Sequence, residues 1–135
     1  YCVSLAEISE EKIETIGTQG FYGCVSLTEL NLAAIRTIGD YAFLQALTLK
    51  NVTIGSAVEK IGKNAFAYAN ANGEEGTVLT VTFLGTTVPE FGEEIFKEVA
   101  ALEIVVADEA TKTAFAAALE AYAEYIVVAS AAAAA

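Results

Sequence analysis

Three pairs of adjacent glutamates have the type and spacing to do chemistry: Glu10-Glu11, Glu74-Glu75 and Glu93-Glu94. Paired carboxylates can bind calcium or act as the acid and base of a hydrolase. None of the pairs has the alternating Asp/Asn spacing of a calcium loop, and adjacent carboxylates are more often solvated charge. We therefore expect no catalytic residue, no metal and no cofactor. Glu93-Glu94 is predicted at a helix start, where the helix dipole favours anions.

The two cysteines are the other reactive side chains. Cys2 and Cys24 occupy equivalent positions in a repeated sequence, so strand-like spacing would place them within the Cα range of a disulfide. Side chains in register run parallel instead of converging, and cysteine commonly serves as a small buried hydrophobe, so free thiols are the preferred prediction. A nucleophilic cysteine needs a nearby base, and the chain contains no histidine.

Composition excludes several classes of partner. The chain has 135 residues, of which 55% are hydrophobic, enough for one domain with a real core. Eighteen acidic against seven basic residues give a formal charge of −11, a balance that repels phosphate backbones and anionic lipid surfaces. No run reaches the roughly 18 apolar residues of a membrane span. We expect no nucleic-acid partner and no membrane insertion.

The side chains above lie in a sequence that repeats about every 22 residues. Cys2-Val3-Ser4-Leu5 recurs as Cys24-Val25-Ser26-Leu27, and four copies of a motif place a phenylalanine four residues after a glycine. The glycine–phenylalanine pairs are Gly17 and Phe21, Gly39 and Phe43, Gly62 and Phe66, and Gly92 and Phe96. A polar, glycine-rich insertion at 70–76 precedes the fourth copy and is predicted to be a surface loop. Such a period is typical of stacked repeats.

One repeat cannot fold alone. Burying about six apolar side chains yields on the order of 10 kcal/mol, while ordering some 22 residues costs roughly 1 to 2 kcal/mol each. The alternation in Leu27-x-x-Leu30-x-Leu32 predicts a short strand with Leu30 and Leu32 inward and Asn31 outward. Equivalent strands would pair in parallel about 4.8 Å apart. The segment from glycine to phenylalanine is predicted to form a short turn of helix with its ring inward.

The outward residues beside these strands are the candidate binding residues. They would line one polar face, and such a face is commonly the recognition surface of a solenoid. The alternative is ordinary solvent exposure. The residues are Glu7, Ser9, Glu29, Asn31, Lys50, Asn51, Thr53, Thr80 and Thr82. Four strands would give a strip some 20 Å long, too small for the roughly 800 Å² per partner of a standard interface, so tight binding by this piece alone is not expected.

The C-terminal segment is predicted to cap the array. Leu102, Ile104 and Val106 alternate as a strand, and Asp108 is a good N-cap for a helix running to about Tyr122 or Tyr125. One apolar stripe of that helix comprises Phe115, Leu119, Tyr122 and Ile126. A short strand at 126–128 would follow. The predicted organisation is a repeat array over 1–100, a cap over 101–129 and a tail over 130–135.

The repeat resembles the BspA-like class of bacterial surface leucine-rich repeats. The resemblance covers roughly residues 1–100 and rests on leucines spaced as in Leu27-x-x-Leu30-x-Leu32 and on an Ile-Gly-x-x-Ala-Phe motif. Its residues are Ile38, Gly39, Ala42, Phe43, Ile61, Gly62, Ala65 and Phe66, with Ile16, Gly17, Phe21 and Cys24 in the first copy. Where the family usually has proline after the strand, this chain has Ala33 and Gly55. The implied fold is an α/β solenoid, a short right-handed array of about four turns with parallel strands and a helix–strand cap.

The resemblance also implies a function. It favours a non-enzymatic interaction or adhesion module of a bacterial cell-surface or secreted protein, with a host or neighbouring-cell surface protein as the partner. A structural spacer that positions another domain is the alternative, and an enzyme that uses paired carboxylates is the least favoured. Because the chain opens inside a repeat, we expect it to be part of a longer array.

Overall fold

Strands from successive repeats pair in parallel and wind the chain into a solenoid. The computed structural model describes residues 7–9, 14–23, 27–69, 78–99 and 101–128. Its elements are β1 (Glu7–Ser9), β2 (Thr15–Ile16), β3 (Glu29–Leu32), β4 (Thr37–Ile38), β5 (Asn51–Ile54), β6 (Lys60–Ile61), β7 (Leu79–Phe83), β8 (Glu90–Phe91), β9 (Leu102–Val106), α1 (Glu109–Ala118), a 3₁₀ segment (Glu120–Tyr125) and β10 (Ile126–Val128). The predicted α/β repeat array is confirmed.

The main sheet has six strands in the order β1-β3-β5-β7-β9-β10. In β3, Leu30 and Leu32 are buried while Glu29 and Asn31 are exposed, as the alternation predicts. The register aligns Leu30 with Val52 and Val52 with Val81, so each inward residue stacks on its equivalent in the next turn. The sheet is longer than the four strands predicted, because β9 and β10 continue the same parallel pairing.

A second parallel sheet joins β2, β4, β6 and β8. Its strands are two residues long, and the isoleucines Ile16, Ile38 and Ile61 point into the core. The sequence predicts no strand at this place, because two residues are too few to show an alternating pattern. The two sheets form adjoining sides of the same apolar core.

The phenylalanines of the repeat point inward, as predicted, and stack in one column. Ring centroids lie 5.4 Å apart between Phe21 and Phe43, 5.2 Å between Phe43 and Phe66, and 5.9 Å between Phe66 and Phe96. Tyr122 meets the last of these rings edge-on at 5.3 Å. The column therefore runs from the first described turn into the cap.

The segments that carry these rings are turns, and the prediction of a short helix is wrong. Their alternate N–H groups donate to the next turn of the array: Phe21 to Ala42 O (2.8 Å), and Phe43 to Ala65 O (2.8 Å). An α-helix would pair these groups within its own segment. The prediction for Glu93-Glu94 is also wrong, since residues 93–98 form such a turn and Glu94 has a φ of 51°.

The helix of the C-terminal segment begins after Asp108, as predicted, and ends earlier than predicted. The Asp108 carboxylate accepts hydrogen bonds from the Thr111 N–H (2.8 Å) and hydroxyl (2.7 Å), which lower the pKa of Asp108. The helix stops at Ala118 because Leu119 leaves helical geometry, with φ −120° and ψ 54°. Phe115 is fully buried and its ring centroid lies 4.8 Å from that of Phe83. The predicted strand at 126–128 is confirmed as β10.

Candidate functional site

The candidate site is the outward side of the six-stranded sheet, which we call the open face. Strand register sorts its residues into two rows. The first row is Glu7, Glu29, Asn51, Thr80 and Glu103, and the second is Ser9, Asn31, Thr53, Thr82, Val105 and Val127. The open face exists because the buried residues between the rows fix the register, and a slip by one residue would turn them outward.

Eight of the nine predicted binding residues occupy these rows. Glu29, Asn31 and Asn51 are exposed. Thr53, Thr80 and Thr82 are half-buried between neighbouring strands. For Glu7 and Ser9 the structure describes the strand and its pairing with β3.

Lys50 is the ninth predicted binding residue, and it lies directly before β5. Its side chain is exposed, and its backbone accepts a hydrogen bond from the Thr80 N–H (2.8 Å). That all nine residues form a binding surface stays a prediction.

Several residues of the open face were missed from the sequence. Glu103 follows Thr80 in the first row, and Val105 and Val127 follow Thr82 in the second. Aligning Leu102–Val106 with Leu79–Phe83 as one more repeat would have found Glu103 and Val105, because both segments alternate in the same way. The binding residues were assigned only to the array and not to the cap.

The open face ends in a groove at its C-terminal side. The groove has a volume of about 440 Å³ and is open to solvent. Its lining comes from the start of β7, from β9 and from the junction of the 3₁₀ segment with β10. The lining residues are Val78, Ala101, Leu102, Glu103, Glu124, Tyr125 and Val127.

The second sheet carries a column of charges instead of a groove. Arg36 lies between Glu14 and Glu59, with Nε 3.1 Å from Glu14 Oε1 and Nη1 3.8 Å from Glu59 Oε2. All three side chains are more than half exposed, so the ion pairs contribute little to stability. On this side of the solenoid Arg36 is engaged by two carboxylates, so the trio carries a net negative charge.

Of the residues first considered for chemistry, only Glu93 and Glu94 lie in the described ranges. Glu94 pairs with Lys97 (3.5 Å), and both side chains are about half exposed. Within those ranges, no three cysteine, aspartate or glutamate side chains gather as metal ligands. Cys2, Cys24, Glu10-Glu11 and Glu74-Glu75 lie outside the described residues. Among the described helices, none is long and apolar enough to cross a membrane.

Comparison with protein families decides what the repeat is. The family model for the BspA type leucine-rich repeat region, described as six copies, matches residues 1–120. The chain belongs to the BspA-type leucine-rich repeat family. No curated protein and no solved structure matches it significantly. BspA-type repeats are a class of protein-interaction module and are generally not enzymes.

The BspA-type match and the sheet both extend beyond the fourth phenylalanine. The match continues to residue 120, and the strand that follows the fourth phenylalanine, β9, pairs with β7 like any earlier repeat. The open face of this BspA-type array therefore includes the outward residues of β9.

Proposed function

We propose that this chain is a protein-binding module that uses the open face, in a bacterial protein that is secreted or displayed at the cell surface. Its partner is a protein of a host or of a neighbouring cell, and its role is adhesion. The proposal rests on one observation: strand register is continuous across all six strands, and the two rows that Glu29 and Asn31 begin among the described side chains continue along it to Val127.

The open face supports this role because its outward groups are available. Asn31 and Asn51 are exposed, and their amides can each donate and accept hydrogen bonds. Backbone N–H groups throughout the array are used in bonds between turns, such as that from Tyr41 to Lys63 O (2.9 Å). Recognition by the open face would therefore depend on its side chains.

The size of the open face predicts weak binding by one copy. Six strands that each take up about 4.8 Å span about 29 Å, and four residues of strand cover about 13 Å. The product, about 380 Å², is well below the roughly 800 Å² per partner of a standard interface. Useful adhesion would then come from several modules or several chains engaging together, since linked weak sites gain affinity from effective concentration.

Charge supports a protein partner over two others. With a net charge of −11, the chain repels nucleic acid and anionic lipid headgroups. The secreted or surface location is supported by what is typical of BspA-type proteins.

The test is a binding assay of the 135-residue chain on immobilised extracellular-matrix proteins. Thr53→Arg places a bulky charge in the middle of the open face, and Thr37→Arg places the same charge on the second sheet, where Thr37 is equally half-buried. We expect the Thr53 variant to lose most of the binding and the Thr37 variant to keep it. Equal retention by both variants, or no binding by the unmodified chain displayed in many copies on a bead, would instead favour a spacer.

A further inference from the structure

The open face changes character along the array. Its second row is polar at Asn31, Thr53 and Thr82, and it becomes apolar at the last two strands, where Val105 and Val127 take the same positions. In the first row, the register position after Glu103 is that of Tyr125, which directly precedes β10. The C-terminal third of the open face is therefore built differently from the rest.

Exposed apolar side chains cluster at this end. Five large hydrophobic residues are substantially exposed in the described part of the chain: Tyr68, Val78, Leu84, Tyr125 and Val127. Three of the five, Val78 (39%), Tyr125 (40%) and Val127 (36%), line the one groove described above. Single exposed hydrophobes are ordinary, whereas apolar side chains gathered in a concave surface give a partner's side chain a place to be buried.

The charges of the groove are all negative. Glu103 and Glu124 are exposed, no lysine or arginine is among the lining residues, and within the described ranges neither carboxylate takes part in an ion pair. The chain as a whole adds to this field with a charge of −11. A second copy of the chain would bring like charge to the groove, so self-association there is disfavoured.

We propose that this groove binds a short segment of a partner protein in which a leucine-like side chain is flanked by lysine or arginine. The aliphatic side chain packs between Val78 and Val127, and the basic side chains lie against Glu103 and Glu124. An arginine can also stack on the ring of Tyr125. The inference rests on the proposed function, since it gives the partner's chemistry at one end of the open face.

Synthetic peptides provide the probe. The peptide Lys-Leu-Arg-Leu-Lys carries both features, Lys-Ser-Arg-Ser-Lys lacks the aliphatic side chains, and Glu-Leu-Glu-Leu-Glu reverses the charge. In an NMR titration of the full chain, the first peptide should shift the methyl signals of Val78 and Val127 at submillimolar to millimolar concentration. The serine peptide should bind at least tenfold more weakly, and the acidic peptide should cause no shift. Equal shifts with the acidic peptide, or none with any peptide, would overturn the proposal.

Variants locate the site. Glu103→Gln and Glu124→Gln should each weaken the basic peptide about two- to fivefold, the range of an exposed ion pair, and reduce its salt dependence. Val127→Ser should weaken it further. Leu84→Ser is the matched control, because Leu84 is 55% exposed and is not among the groove lining. Equal loss in the control, or none in the three groove variants, would contradict the assignment.

The experiment can also distinguish another occupant of the groove, the C-terminal tail of the chain itself. The chain continues beyond β10 into the alanine run Ala131–Ala135, which offers no positive charge. If deleting residues 130–135 moves the groove signals and peptide binding appears only then, the tail is the occupant and the proposal is wrong. The proposed function is tested separately, since Thr53→Arg should remove most of the matrix-protein binding and leave the peptide titration unchanged.

Discussion

The rings of Phe43 and Phe66 lie 5.2 Å apart, centroid to centroid, and their planes are within 6° of parallel. This distance is close to the roughly 4.8 Å between neighbouring strands, so the rings rise at the same step as the backbone. Each ring thereby covers the next, and the column couples one repeat to its neighbour.

Replacing Phe43 by alanine should cost about 3–5 kcal/mol of unfolding free energy, because the ring is fully buried between two others. Phe21→Ala should cost clearly less, since Phe21 is only partly buried. Urea denaturation followed by circular dichroism measures both. The exposed Leu84→Ala serves as control and should change stability by less than about 0.5 kcal/mol. Similar losses at Phe21 and Phe43 would contradict the coupling role of the column.

At Gly55 the backbones of two neighbouring repeats approach closely. A Cβ atom on Gly55 would overlap the carbonyl oxygen of Ala33 in the preceding turn, whereas one on Gly17 meets no described atom within 4 Å. Gly55→Ala should therefore cost about 1–3 kcal/mol or more by overpacking. The matched Gly17→Ala should be neutral or stabilise by about 0.4–1 kcal/mol, because it restricts the unfolded chain. Thermal unfolding of the two variants checks the difference, and equal effects would refute the close approach.

Left-handed residues give a third prediction. Seven residues other than glycine have positive φ in the described ranges, and Gln45, with φ 63°, is an exposed one. Gln45→Gly should leave stability unchanged or raise it by up to about 1 kcal/mol, while the β-branched Gln45→Val should lower it by about 1 kcal/mol. The same valine change at exposed Asn31 in β3 should be tolerated, because strands favour β-branched residues. A stable Gln45→Val would contradict the turn geometry.

The hydrogen bonds at Asp108 should make the stability of the C-terminal cap depend on pH. Hydrogen bonds from the Thr111 hydroxyl and N–H lower the pKa of Asp108 in the folded chain, so its stabilising effect is complete above the unfolded pKa of about 4. The effect is lost as the pH falls through the lower folded pKa. Asp108→Asn keeps an acceptor without the charge, so the stability of wild type relative to this variant should fall as the pH is lowered below about 4. A difference that stays constant from neutral to acid pH would be the contrary result.

The buried ladder could be predicted from sequence because it is periodic. Once Leu30 and Leu32 are inward, parallel pairing forces Asn31 outward and aligns it with Thr53, so the outward rows follow from the same pattern. The phenylalanine column follows from the constant spacing after each glycine. These parts of the fold and of the candidate site repeat, and repetition is what a sequence records most clearly.

Other parts could not be predicted for physical reasons. Tyr41 and Gln45 adopt positive φ although their side chains do not favour it, because bonds between turns outweigh the local preference. The groove joins Val78 to Tyr125, which are distant in sequence and meet only through the path of the cap. No local pattern signals such a meeting.

The constant register has a consequence for how such molecules change in length. A duplicated internal repeat could pair with the turns on either side of it, because they present the same inward ladder and ring spacing. The groove at the C-terminal side of the open face would keep its structure and lie one turn further along the array. The length of the array and the binding specificity of its groove can therefore change independently, and selection can lengthen the array without altering the groove.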